Sequence, residues 1–257
     1  VVLDAMTVAL AAAAIVTGSF LQRVSGMGVG LVVGPALGFL LGPQIGIYST
    51  NVVTLFSALL LLLIRWNDID WIRATWILVT GLPGALAGAL LVKYMSTAWL
   101  EILVGGGILT AVMVTFLGKS AQSKDGPWRR AMTGIAGGAL NATVGVAAAA
   151  MVLYARKAQW NHPSFGATLQ PIFLGLGIYS VVSKSLFGAV EVGGQLPAWW
   201  YLFVAVAMVG IGATLGTFAA RRISAHQAQK VSVFLAVAGS LVVLARGLIT
   251  LAGTLPL

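Results

Sequence analysis

The feature that most limits what this chain can become is its succession of long apolar runs. They cover residues 5–41, 45–64, 74–92, 99–117, 131–154, 165–187, 197–220 and 231–251, with short polar joints between them. A helix that crosses a bilayer needs about 20 apolar residues, and most of these runs supply them. Composition agrees: 59% of the 257 residues are hydrophobic and 8% are charged, where a soluble domain carries about 25% charge. A soluble enzyme, a disordered chain and a coiled coil are therefore excluded. The chain is expected to be an all-α, polytopic protein of the lipid bilayer.

Cysteine is absent and the net charge is +9. The lack of cysteine removes disulfides, thiolate nucleophiles and thiolate metal ligands. The positive charge is read as basic loops held on the cytoplasmic side, not as a nucleic-acid surface, because no basic stripe with aromatics lies on a soluble module. Residues 5–22 are apolar without a basic leader, so no cleaved signal peptide is expected.

The polar stretch 119–130 divides the chain into near halves: a first membrane repeat over 1–118, a basic cytoplasmic linker over 119–130 and a second repeat over 131–257. An offset of 128 aligns Trp71 with Trp199, Gly84 with Gly212, Gly88 with Gly216, Lys93 with Arg221 and Ser96 with Ser224. Upstream the offset falls to 119 and sets Gly26 on Gly145. Duplication of this kind is the mark of many transporters.

Two runs are broken, at residues 22–28 and 141–143. The arms 131–140 and 145–154 have ten residues each, about 15 Å, which reaches the middle of a core about 30 Å thick. Re-entrant hairpins are expected, and the basic residues test the idea. If each broken run returns to its own side, Arg65, Arg73, Lys119, Lys124, Arg129, Arg130, Arg156, Lys157, Arg221, Arg222 and Lys230 share one face, against Lys93, Lys184 and Arg246, a split of 11 to 3. If each crosses once, the split is 8 to 6. The first arrangement obeys the positive-inside rule. It leaves both termini outside, a hairpin plus three transmembrane helices in each half, and two inverted repeats whose hairpin tips meet near the midplane.

Irregular backbone at that depth survives only where protein or a cavity surrounds it, so the tips are the expected substrate site. Gly26, Met27, Gly28 and Gly145 form the turns, whose following helices present free N–H groups suited to an anion. Gly30 is read mainly as a packing glycine. Arg23, placed at the first tip, is costly in a bilayer and is read as an oxyanion clamp; Arg23→Ala is expected to abolish transport. Ser25, Ser49, Thr50, Asn51 and Thr54, with Asn141, Thr143, Thr168 and Gln170, add donors, though a lone hydroxyl is commonly interhelical glue. Lys184 is expected to snorkel from the outer end of its span. His162 and His226 fall in loops without metal spacing. Trp71, Trp99, Trp199 and Trp200 suit interfacial belts. The six acids, Asp4, Asp68, Asp70, Glu101, Asp125 and Glu191, sit in loops or at span ends, so no acidic relay crosses the membrane. There is no phosphate-binding loop and no zinc-protease pattern; no enzyme, cofactor or metal is expected.

The residues Ser19 to Asn51, with Gly26-Met27-Gly28-Val29-Gly30, Pro35 and Tyr48-Ser49-Thr50-Asn51, resemble the sulfite exporter TauE/SafE family. Its pattern is a glycine-rich turn, a proline further on and an Ala-Thr-Ser-like patch opening the next span. Gly138 to Val146 followed by Phe165-Gly166-Ala167-Thr168 resembles the second copy. This chain departs from the pattern at Gly145-Val146-Ala147-Ala148, which lacks the paired glycines, and at Ser49-Thr50-Asn51. The resemblance implies a permease of a bacterial cytoplasmic membrane that moves sulfite, a sulfonate or a related sulfur anion without ATP. A passive anion channel and a membrane subunit of a larger complex stay open as alternatives.

Overall fold

The computed structural model describes residues 4–117, 125–190 and 199–254. They form ten α-helices and no strand: α1 (Ala5–Ser25), α2 (Val29–Leu41), α3 (Pro43–Ile64), α4 (Trp71–Tyr94), α5 (Thr97–Leu117), α6 (Pro127–Val144), α7 (Ala148–Lys157), α8 (His162–Leu186), α9 (Trp199–Ala219) and α10 (Ala225–Thr254). Local chemistry sets the starts. Asp4 and Asp70 cap α1 and α4, their carboxylates accepting the N–H of Thr7 and Arg73 at 3.0 Å. Proline opens α3, α6 and α8, where its missing N–H has no helical partner to lose.

Six helices, α1, α3, α4, α5, α8 and α10, are long and apolar enough to cross a membrane. Their outer faces carry exposed apolar side chains, among them Leu63 (69%), Val79 (65%), Phe234 (70%) and Ile249 (73%). A water-facing surface would not hold so many. The interior is largely apolar but encloses polar side chains, among them Ser49, Thr50, Asn51, Asn141, Thr168, Ser180 and Lys184, all buried. Trp71 and Trp99 are exposed. The side chains of Trp199, Trp200 and His162, and all of Lys119, Lys124 and Glu191, lie outside the described residues. His226 is exposed in the first turn of α10. Pro127–Arg130, expected in the linker, is already the first turn of α6.

The breaks fall later than the sequence suggests, and the hairpin arms are unequal. α1 has 21 residues and α6 has 18, against 13 in α2 and 10 in α7. The longer arms measure about 31 and 27 Å at 1.5 Å per residue, well past a half-span. The polar residues that looked like the second break are helical because each has a partner. Thr143 Oγ1 donates to Ala139 O (2.8 Å) and Asn141 Nδ2 to Ser180 Oγ (3.0 Å). The chain turns instead at Gly26 and Gly145, with φ of 80° and 78°, a region that favours glycine.

The helices exchange partners between the halves of the chain. α9 packs on α1, and α4 packs on α6. A methyl on Gly212 would strike Val16 O and come within 3.1 Å of Phe20 N, and one on Gly84 would strike Ile135 O and come within 3.0 Å of Ala139 N. On Gly216 it would lie 2.8 Å from Phe20 O and Arg23 Cβ; on Gly88 it would lie 2.9 Å from Ala139 O and 2.8 Å from Ala142 Cβ. The matched atoms stand at the offsets found in the sequence: 128 between the glycines, and 119 from Val16, Phe20 and Arg23 to Ile135, Ala139 and Ala142. Small residues at these points let the backbones touch. α3 packs on α8, and α5 on α10, each helix beside its counterpart.

Candidate functional site

The two turns are built alike. Gly26 N–H closes α1 by donating to Gln22 O (2.8 Å), and Gly145 N–H closes α6 by donating to Asn141 O (3.1 Å). Gln22 and Asn141 are therefore equivalent, and both are buried. Gln22 folds back so that its Oε1 accepts the N–H of Val29, the first residue of α2, at 3.1 Å. Ala147, ahead of α7, has no side chain that caps its helix. A helix start with uncovered N–H groups carries a partial positive charge.

The turns meet. A methyl on Gly30, in the first turn of α2, would lie 2.6 Å from Gly145 O, and one on Gly145 would lie 3.2 Å from Thr50 Cγ2. Between them is a cavity of about 20 Å³ lined by Gln22, Met27, Gly28, Gly30, Leu31, Thr54, Asn141, Gly145, Val146, Ala147, Ala148 and Phe173. The starts of α2 and α7 both border it. Gln22 Nε2 and Thr54 Oγ1 are buried without a hydrogen-bond partner among the described residues. Orphaned buried polar groups are costly, and here two of them belong to residues that line one small void.

A chain of hydrogen bonds runs from the void to a buried amine. Asn51 Nδ2 donates to Asn141 O (3.0 Å), and Lys184 Nζ donates to Asn51 Oδ1 (2.7 Å). Lys184 is 0% exposed, so the expected snorkelling is corrected. The reason is the level at which α8 stops. Its last turn lies beside Asn51, eight residues into α3, about 12 Å from that helix's start. No carboxylate oxygen lies within 4 Å of Lys184 among the described residues.

The other expected site residues divide. Met27, Gly28, Asn141 and Gly145 line the void, Gly26 sets its turn, and Thr50 and Asn51 pack beside it. Ser25 Oγ donates to Leu21 O and Met27 O, both at 2.7 Å, and staples the first turn. Ser49 is buried with no partner among the described residues but does not line the void. Thr143 bonds within its own helix. Thr168 accepts the N–H of Asp70 (2.9 Å) at the start of α4, and Gln170 donates to Gly166 O (3.1 Å); both stand apart from the void. Arg23 also stands apart, its Nε donating to Thr217 Oγ1 on α9 at 2.9 Å. Gln22 and Lys184 were missed. The 119-residue offset that pairs Gln22 with Asn141 was the available signal for the first.

A second cavity, about 650 Å³, opens between α5, α6 and α7. Its walls are mostly apolar, with Thr110, Thr133, Arg129 and Lys157 among them. Leu140 and Ala149 line it, while their neighbours Asn141 and Ala148 line the small void. Beside it, Asp125 binds the basic end of the molecule together. It accepts from Arg130 (2.6 Å), Arg73 (3.0 Å) and the Tyr154 hydroxyl (2.6 Å). Partial burial pushes its carboxyl up, and the hydrogen bonds from Arg130, Tyr154 and Arg73 outweigh that and hold it well below the usual carboxylate range.

Comparison with curated proteins and with solved structures gives no match. The family model of the sulfite exporter TauE/SafE family matches residues 10–243. That match covers nearly all of a multi-pass helical chain, and the chain belongs to the sulfite exporter TauE/SafE family of membrane transporters.

Proposed function

We propose that this protein is a secondary permease for a small sulfur-containing anion, sulfite or an organosulfonate, working by alternating access. The carrying observation is the void where the starts of α2 and α7 meet, bordered by Gln22 Nε2 and Thr54 Oγ1, which have no partner among the described residues. Two partial positive ends and two free hydrogen-bonding groups suit an oxyanion. The void has room for about one water molecule and is too small for such an anion, so the hairpins must part to admit it. That requirement favours a carrier over an open channel. The reading takes the two halves as inverted repeats, each a re-entrant hairpin plus three crossings, with both termini outside. The exchanged pairs α1–α9 and α4–α6, and the equivalent glycine turns, support it. The 650 Å³ cavity with Arg129 and Lys157 offers an approach from the basic face.

The test is thermal stability of the purified protein against sulfite, thiosulfate, taurine, isethionate, sulfoacetate, acetate and phosphate. A ligand at 100 times its Kd adds about 2.7 kcal/mol to the folded state. Stabilisation by sulfur anions, lost in Thr54→Val, is the expected result. Stabilisation by acetate alone moves the substrate class. No stabilisation, together with no flux in liposomes, overturns the proposal.

A further inference from the structure

The Lys184 amine has two N–H donors and a lone pair when neutral and three donors when protonated. One is accepted by Asn51 Oδ1, and no carboxylate answers the charge among the described residues. Among the described residues the other buried charged side chain is Glu101, and Arg246 pairs with it at 2.7 Å. A buried ammonium with no counter-charge is unfavourable, and a nearby anion relieves that cost. An anion in the void, one asparagine relay away, is placed to do so.

On the permease reading above, we propose that Lys184 couples the anion to a proton. With the site empty the amine is neutral. On loading, its lone pair takes a proton from water on the loading side, and the anion supplies the counter-charge. On release the anion leaves, the N–H bond breaks, and the proton passes to water on the other side. One anion and one proton cross together, so a monovalent anion moves without net charge. Asn51 carries the change to the hairpin, because its carboxamide accepts from Lys184 and donates to Asn141 O at the end of α6.

The surroundings leave this role to Lys184. Among the described residues, ionisable groups on or flanking elements packed against α8 are Tyr48 and Arg65 on and after α3, Asp68 and Asp70 ahead of α4, Arg73, Lys93 and Tyr94 on α4, and Arg129 and Arg130 on α6; α8 itself adds Tyr179, and Arg65 and Asp70 meet α8 near its start, at Gly166 and Thr168. Tyr48 is the near one, its hydroxyl 3.4 Å from Ser185 Oγ. Arg73, Arg130 and Arg129 belong to the basic end that Asp125 ties together, beside the start of α8, about 24 Å along that helix from Lys184. Asp68, Lys93 and Tyr94 are exposed.

The test reconstitutes the full chain in liposomes with a luminal pH dye and a membrane-potential dye. Isethionate is the first probe, because its sulfonate stays ionised and any proton moved belongs to the protein. Wild-type uptake is expected to acidify the lumen by one proton per anion, to generate no potential, and to quicken as the outside pH falls. Lys184→Met is expected to cut uptake by roughly 5–150-fold. Lys184→Arg, permanently charged, is expected to lose the pH dependence and to move charge. Uptake of isethionate by the wild type with a potential and no acidification overturns the coupling and leaves the permease standing; this holds even if both variants fail to fold. If sulfite alone is carried, its proton count must differ by one between wild type and Lys184→Arg, and equal counts overturn the coupling. If neither probe moves, the permease reading itself falls.

Discussion

Gln22 and Asn141 close equivalent turns yet spend their amides differently. Gln22 covers the first N–H of α2 and leaves its Nε2 free at the void, while Asn141 ties α6 to Ser180 on α8. The side chains that touch the anion at this site are therefore expected to be uncharged, Gln22 and Thr54 among them. Thr54→Val should remove anion-dependent stabilisation, while Arg23→Ala, which loses only the bond to Thr217, should keep it; paired thermal-shift titrations decide. The asparagines and small residues of the site were legible from the chain because hydroxyls and amides are rare in membrane helices. Arg23 and Lys184 were misread for one reason. Arg23 is in the last turn of α1 as expected but turns to Thr217 on α9, and Lys184 turns inward to Asn51 on α3; the partner a side chain takes on another helix is a tertiary fact. Asp125 gives a third test, at the basic end. Its folded carboxyl titrates below the unfolded value of about 3.9, so its contribution is present above about pH 4 and is lost as pH falls through the folded value. Asp125→Asn should flatten that acid-side loss and lower Tm at neutral pH by roughly 2–4 °C, read by thermal melts across pH.

At the scale of elements, the chain turns between α1 and α2 and between α6 and α7, and the helices on either side of each turn are unequal. Polar residues in an apolar run suggest an end, but Asn141 and Thr143 stay helical once each side chain finds an acceptor. What stops α1 and α6 is a glycine in the left-handed region, at the two positions the sequence marks as turns; what the sequence does not show is that α6 runs on through Asn141 and Thr143 to reach its glycine. Gly30 is the sensitive contact. In Gly30→Ala the new methyl meets Gly145 O at 2.6 Å, and overpacking of this kind costs about 1–3 kcal/mol. Gly38→Ala, in the same helix, meets nothing within 4 Å and should be neutral or stabilising by up to about 1 kcal/mol. Melting curves of the two variants should separate clearly, and equal Tm values would show that the turns are not in contact.

For the whole molecule, the offsets of 119 and 128 are read from the sequence alone, before any contact is known. The offsets could not say which helix of one half receives which helix of the other. Because α9 lies on α1 and α4 on α6, residues 1–118 or 119–257 alone should fail to form a stable unit. The two pieces expressed together should co-purify, and a monodisperse, heat-stable single half would contradict the exchange. The same exchange sets an order in time. A chain made at about 5–20 residues per second needs roughly 3–10 s to go from the end of α4 to the end of α6, and roughly 10–40 s from the end of α1 to the end of α9. Through that second interval α1 stands in the lipid with the seat for Gly212 and Gly216 vacant and Arg23 still without Thr217. The newborn protein is a half-built lock whose first pin waits longest for its groove, and whatever shelters α1 during that wait governs how much of the chain reaches the finished fold.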